Sequence, residues 1–264
     1  MSTVSQSLLI QPSSKINTAL KILSELSPEV EEKDLLYQFS LSSELEIRTT
    51  VADKLLKAIK DCPRGDPDNS NIFPTKFENL CFNLIKLTLE DEFPNVKPIQ
   101  HPRKDKIFGE NIEIRDITIE NRYKLLNVGI LWNDLRTDTK VNCKIIVFEC
   151  KNYEVNITRK EVLQLYEYLN PDVHGRFGII LCRNSDKIDA SGIHAIFRVK
   201  RDDYVIILIG ENEMQTWLNQ WVATGESSSF FSDLYSKYNS NISENAHVKR
   251  VYVKRETKTK KVKE

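Results

Sequence analysis

Residues 144–151 read Lys-Ile-Ile-Val-Phe-Glu-Cys-Lys and close on Glu149-Cys150-Lys151. The apolar run Ile145–Phe148 has the length of a buried strand. Side chains alternate along a strand, so Glu149 and Lys151 share one face and Cys150 points to the other. A carboxylate and an ammonium held side by side at the rim of a sheet suit metal-dependent phosphodiester chemistry. The carboxylate is a hard oxygen ligand for a divalent ion, and the ammonium orients a water or offsets charge on a phosphate.

Other candidate groups lie on both sides of this strand. Asp116 interrupts an isoleucine-rich stretch, residues 111–121. Asp is poorly suited to a strand interior unless it has a partner. A carboxylate facing it across a divalent ion is one such partner, and Arg115 or Arg122 is another. Glu78 belongs to the helical stripe Glu78, Cys81, Phe82, Ile85, Leu89, which is otherwise apolar. Buried, it needs a partner or a metal; near a helix start, the dipole alone favours it. Gln164 and Tyr168 are four apart and share a helix face. They lie roughly 130° from the centre of the apolar face formed by Val162, Leu165, Tyr166 and Leu169. They therefore look sideways, either into a cleft where they bond phosphate or base, or as ordinary surface polarity.

The elements that must position these groups are legible from periodicity. Residues 1–61 read as a helical N-terminal region, with a patch at Leu20–Leu26 and a pair of short helices over 31–61. Residues 62–72 are a turn-rich linker carrying Cys-Pro-Arg-Gly-Asp-Pro. Residues 73–246 then read as an α/β domain, ending at the basic tail 247–264. Helices are expected at Thr75–Leu89, from the capping box Thr158–Glu161 to Asn170, at Lys187–Phe197 and at Asn212–Val222. Strands are expected at Val96–Gln100, Ile112–Ile119, Lys144–Lys151, Phe177–Cys182 and Tyr204–Ile209. That order implies a mixed sheet flanked by helices. Residues 122–143 are an excursion that Leu131, Trp132 and Leu135 should pack down.

The chain has 264 residues, 40% hydrophobic, enough for one core and a small appendage. Its 38 basic and 38 acidic residues balance, so no global field singles out a polyanion. The tail, 247–264, nevertheless carries eight Lys and Arg against two Glu. That suits either phosphate binding or a solvated terminus. Five cysteines without a Cys-x-x-Cys fit a reducing compartment without disulfides, and four scattered histidines give no zinc spacing. No apolar run approaches the roughly 18 residues of a membrane span. The expectation is a soluble, cytoplasmic protein with no secretion signal and no membrane partner.

Taken together, Glu78, Asp116, Glu149-x-Lys151 and Gln164-Leu165-Tyr166-Glu167-Tyr168 resemble the PD-(D/E)XK nuclease superfamily across residues 73–210. Glu78 stands where that family has a first-helix acid. Asp116 matches its motif Asp, and Glu149 and Lys151 match its (D/E)XK. Gln164 to Tyr168 is similar to the Gln-hydrophobic-x-x-Tyr signature of the branch that includes RecB-like nucleases. Phe148–Tyr153 with Gly175–Arg183 looks like stand-alone restriction-like modules of bacterial defence systems. The chain departs from the pattern in two places. Arg115 replaces the Pro before the motif Asp, and 32 residues separate Asp116 from Glu149.

The resemblance implies a restriction-endonuclease-like fold and a Mg²⁺- or Mn²⁺-dependent endonuclease acting on DNA as a defence effector. Asp116, Glu149 and the main-chain carbonyl of Cys150 would bind the metal. Glu78 would bind a second ion or a metal-bound water. Lys151 would orient or help deprotonate the attacking water, and Gln164 and Tyr168 would hold the nucleic acid. A separate sensor protein and a homodimer enter by the same analogy. An RNA nuclease, a non-catalytic nucleic-acid-binding module and an interaction domain docking through residues 1–61 are the alternatives.

Overall fold

The computed structural model describes residues 14–28, 34, 39, 42–64, 72–90, 92–93, 99–100, 117–121, 130–153, 155–184 and 188–240. Asp116, the expected strand residues 112–115 and the basic tail lie outside the described residues.

Five strands form one mixed sheet, in the spatial order of the sequence. β1 (Ile99–Gln100) pairs antiparallel with β2 (Ile117–Glu120), and β2 pairs antiparallel with β3 (Ile145–Lys151). β3 runs parallel to β4 (Phe177–Cys182), and β4 runs parallel to β5 (Val205–Ile209). Parallel neighbours need a crossover. Helix α5 (Arg159–Tyr168) supplies it between β3 and β4, and α6 (Ala190–Arg201) between β4 and β5. The remaining helices are α1 (Ser14–Leu26), α2 (Glu44–Asp61), α3 (Ile72–Leu89), α4 (Ile130–Thr137), α7 (Glu211–Thr224) and α8, residues 228–240. The architecture is α/β, a mixed sheet flanked by helices.

Strand alternation divides the core. Ile146 and Phe148 of β3, with Phe177, Ile179 and Leu181 of β4, face a large core built with α1, α2, α3, α4 and α7. Val147, Ile180 and Cys182 face a smaller one built with Val162 and Leu165 of α5 and Ala195 and Val199 of α6. Both central strands are covered on both faces, which is why they read as continuous apolar runs.

The expected elements appear with small shifts at their ends. α6 starts later and runs longer than Lys187–Phe197, because Asp189 caps it by accepting a bond from Gly192 N at 2.6 Å. Of the pair of helices expected over 31–61, the second is α2, which Ser43 and Glu46 start as a capping box, and the described residues Asp34 and Phe39 ahead of it are also helical. The described part of the excursion before β3, residues 130–143, contains α4, with Leu131, Trp132 and Leu135 buried as expected. α8 is an addition to the expected order, and Phe230 and Phe231 bury it against Trp217. Among the described residues no helix is long and apolar enough to cross a membrane.

Candidate active site

The site lies at the end of β3. Lys151 Nζ donates to Glu149 Oε1 at 2.6 Å and to Gln164 Oε1 at 3.1 Å. Gln164 Nε2 donates in turn to the Tyr168 hydroxyl at 2.6 Å. One hydrogen-bonded chain thus joins four of the residues singled out in the sequence. Its charged end is deeply buried: Glu149 is 3% exposed and Lys151 7%. Two facts of local structure produce it. Period-two alternation puts Glu149 and Lys151 on the α5 side of the sheet, the side that Val147 also faces. The i, i+4 spacing on α5 then stacks Gln164 and Tyr168 beside them.

α5 is held in place at its start and midway along. At its start, Thr158 N donates to Glu161 Oε2 at 2.8 Å, the Thr158 hydroxyl donates to the same oxygen at 2.7 Å, and Lys160 N donates to Thr158 Oγ1 at 3.2 Å. Burial by itself would raise the Glu161 carboxyl. The Thr158 hydrogen bonds and the nearby Lys151 charge outweigh it and hold the group below its ordinary value. Midway along, the Leu165 side chain rests on Gly178 of β4. A Cβ at Gly178 would come within 2.9 Å of Leu165 Cδ2. The bare glycine lets α5 approach closely enough for Gln164 to reach Lys151.

The other face of the same sheet end carries a second polar cluster. Arg183 and Asn152 are the residues just beyond the last β3–β4 pair, Lys151 with Cys182. Arg183 donates to the backbone carbonyls of Cys62 at 2.8 Å and Lys60 at 2.9 Å, to Asn152 Oδ1 at 3.4 Å, and to Glu211 at the start of α7. Asn152 Nδ2 donates to Pro63 O at 2.8 Å. The end of α2 is therefore tied to the strand ends that bear Glu149 and Lys151. The sequence reading missed this role for Arg183 and Asn152. The available signal was a charged and an amide residue directly after two buried strands.

Glu78 is buried on α3, which packs against β3. Its neighbour Phe77 lies under the Arg183 guanidinium, 5.7 Å from ring centroid to Cζ, so this turn of α3 sits at the same end of the sheet. Asp116 immediately precedes β2. The last described β2–β3 pair is Ile117 with Phe148, whose neighbour is Glu149. Cys150 is half-buried, and its side chain packs with the larger core, opposite Glu149 and Lys151. Among the described residues, no three His, Cys, Asp or Glu side chains group to hold an ion.

No protein-family model matches the chain, and no curated protein matches it either.

Proposed function

We propose that the chain is a Mg²⁺- or Mn²⁺-dependent nuclease of the restriction-endonuclease-like kind, an endonuclease that hydrolyses phosphodiester bonds of DNA in the cytoplasm as a defence effector. The observation that carries this reading is the Lys151 ammonium, buried and held between Glu149 and Gln164 at the end of a central strand. A lysine and a carboxylate are expensive to bury, even as a pair. A reaction that needs a fixed cation beside an anionic substrate explains why they are there.

The donor chemistry suits a hard divalent ion. Mg²⁺ keeps several waters and takes only one or two carboxylates from a protein. Glu149 would be one ligand, with the Cys150 carbonyl next to it. Asp116, the residue before β2 in the sequence, would be the second. Glu78, at the same end of the sheet, would hold a second ion or its water. When bound, the ion polarises the phosphate and acidifies a water. Lys151, its ammonium fixed by Glu149 and Gln164, would orient the attacking water and offset the charge gathering on the phosphorus oxygens. Gln164 holds Lys151 in place and, with Tyr168, offers an amide and a phenol to the nucleic-acid strand. A second subunit would allow both strands to be cut, and a separate sensor protein would release activity.

The test is cleavage of supercoiled and linear duplex DNA, single-stranded DNA and RNA with Mg²⁺ or Mn²⁺, with EDTA and Lys151→Met as controls. Metal-dependent cutting of DNA that the variant loses is the expected result. Cutting of RNA alone would change the substrate class, and undiminished cutting by the variant would end the assignment. The second reading is a non-catalytic module in which the chain from Glu149 to Tyr168 is a structural polar network. The hydrogen bonds that run unbroken from Glu149 to Tyr168 favour that reading. Calorimetry separates the two, since a purely structural pair takes up neither Mg²⁺ nor Mn²⁺.

A further inference from the structure

A second cationic feature lies on the other flank of α5. Arg159, at the start of that helix, faces the stripe Ser191, His194, Ala195 and Arg198 on α6. The i, i+3, i+4, i+7 spacing puts the four α6 residues on one helix face. Between them is a cleft of about 370 Å³, within the roughly 300–1,000 Å³ of ordinary ligand sites. Its floor is the buried methyl of Ala195. Its walls carry two guanidinium groups, an imidazole and a hydroxyl.

Two features set this apart from a solvated charged surface. The walls are fixed to each other. Arg159 N donates to Ser191 Oγ at 3.1 Å, and Asp189 N donates to Ile157 O at 3.1 Å. A Cβ at Gly192 would meet Ile157 O at 2.8 Å, so glycine permits the close approach. The guanidiniums are also available. Among the described residues neither Arg159 nor Arg198 pairs with a carboxylate, whereas Arg48 pairs with Glu44 and Arg183 with Glu211. The nearby Asp189 carboxylate is engaged by Ser191 Oγ and Gly192 N.

We infer that Arg159, His194 and Arg198 form a phosphate-binding cleft that grips the backbone of a nucleic acid. Guanidinium forks match phosphate oxygens bidentately. The choice of nucleic acid over free phosphate rests on the proposed nuclease reading. At about 100° per residue, Arg159 lies roughly 140° around α5 from Gln164. The phosphate held here is therefore a different one from any at Lys151. The cleft adds affinity without touching the reacting group.

The test is binding of a short labelled duplex to the full chain in EDTA, by fluorescence anisotropy, over a range of KCl concentrations. Arg159→Gln with Arg198→Gln should weaken binding about tenfold or more. It should also lower the slope of log affinity against log salt by about 2, near one for each phosphate no longer neutralised. Both side chains are exposed, so the fold should survive, and the melting curve checks that. His194→Ala is the milder second variant, expected to weaken binding severalfold. With metal present, the double variant should raise KM and leave kcat at saturation unchanged. Unchanged affinity and salt slope in the double variant would overturn the inference, as would binding of inorganic phosphate without binding of the duplex. The two readings fail differently. Loss of the nuclease reading shows as binding without metal-dependent cleavage, and loss of the cleft as cleavage with binding insensitive to these arginines.

Discussion

Lys151 and Glu149 form an ion pair in a site that excludes most water. Removing one leaves the other buried, at about 3–5 kcal/mol. With the lysine this deeply buried, Lys151→Ala should lower stability as well as activity. Glu149→Gln together with Lys151→Met, which removes both charges, should be more stable than either single variant. Chemical denaturation of the three checks this, and additive losses would show that the pair is not coupled. In cleavage assays Lys151→Met should lose a hundredfold or more, since lost charge stabilisation is worth on the order of 3–4 kcal/mol in the barrier. Glu161 gives a pH signature. Its folded carboxyl lies below its ordinary value of 4.5, so the unfolded chain binds more protons there. Its contribution is fully present above that value and is lost as pH falls through the lower folded one. The stability gap between the wild type and Glu161→Gln should therefore be constant near neutrality and narrow under acid conditions. A gap that widened on acidification would contradict the assignment.

The elements were more legible than the packing that sets their spacing. Buried strands such as Ile145–Phe148 and Phe177–Cys182 announce themselves by continuous apolar runs, and Thr158-x-x-Glu161 is a local device that needs no tertiary knowledge. Four of the candidate site residues follow from those elements, because alternation and helical spacing are local geometry. Arg183 and Asn152 were not legible as a clamp, since their partners at Lys60, Cys62 and Pro63 are about a hundred residues away in sequence. Gly178 was likewise silent: nothing local reveals which helix will rest on a strand glycine. Its effect is testable. Gly178→Val pushes a branched side chain into Leu165, so α5 must lift or Leu165 must move, at about 1–3 kcal/mol. The lift draws Gln164 away from Lys151, so activity should fall more steeply than stability at temperatures where the variant remains folded. Activity that tracked the folded fraction alone would show that α5 yields by moving Leu165 and leaves Gln164 where it was.

At the scale of the molecule, the site depends on helices that carry none of its chemistry. Val51, Leu55 and Ile59 of α2 are fully buried in the same core as Phe148 and Phe177. Arg48 NH1 donates to Trp221 O at 3.2 Å, and Arg183 reaches across to the end of α2. Trp132 is packed among Phe93, Phe177 and Phe231, with its indole N–H on the buried Glu92 carboxylate at 2.7 Å. That joins α4, α8 and the sheet into the same mass. A core shared in this way has no plane along which the N-terminal helices can separate while the sheet stays covered. Leu55→Ala therefore tests the whole arrangement. The cavity costs about 2–5 kcal/mol, and the loss should appear in one transition that takes helical signal, aromatic signal and catalysis together. Near- and far-ultraviolet dichroism followed through the same melt decides it. Coincident curves shifted to lower temperature are expected. An early partial transition that left cleavage intact would mean that α1 and α2 are a detachable layer, and that the Arg183 clamp is dispensable to the end of β3.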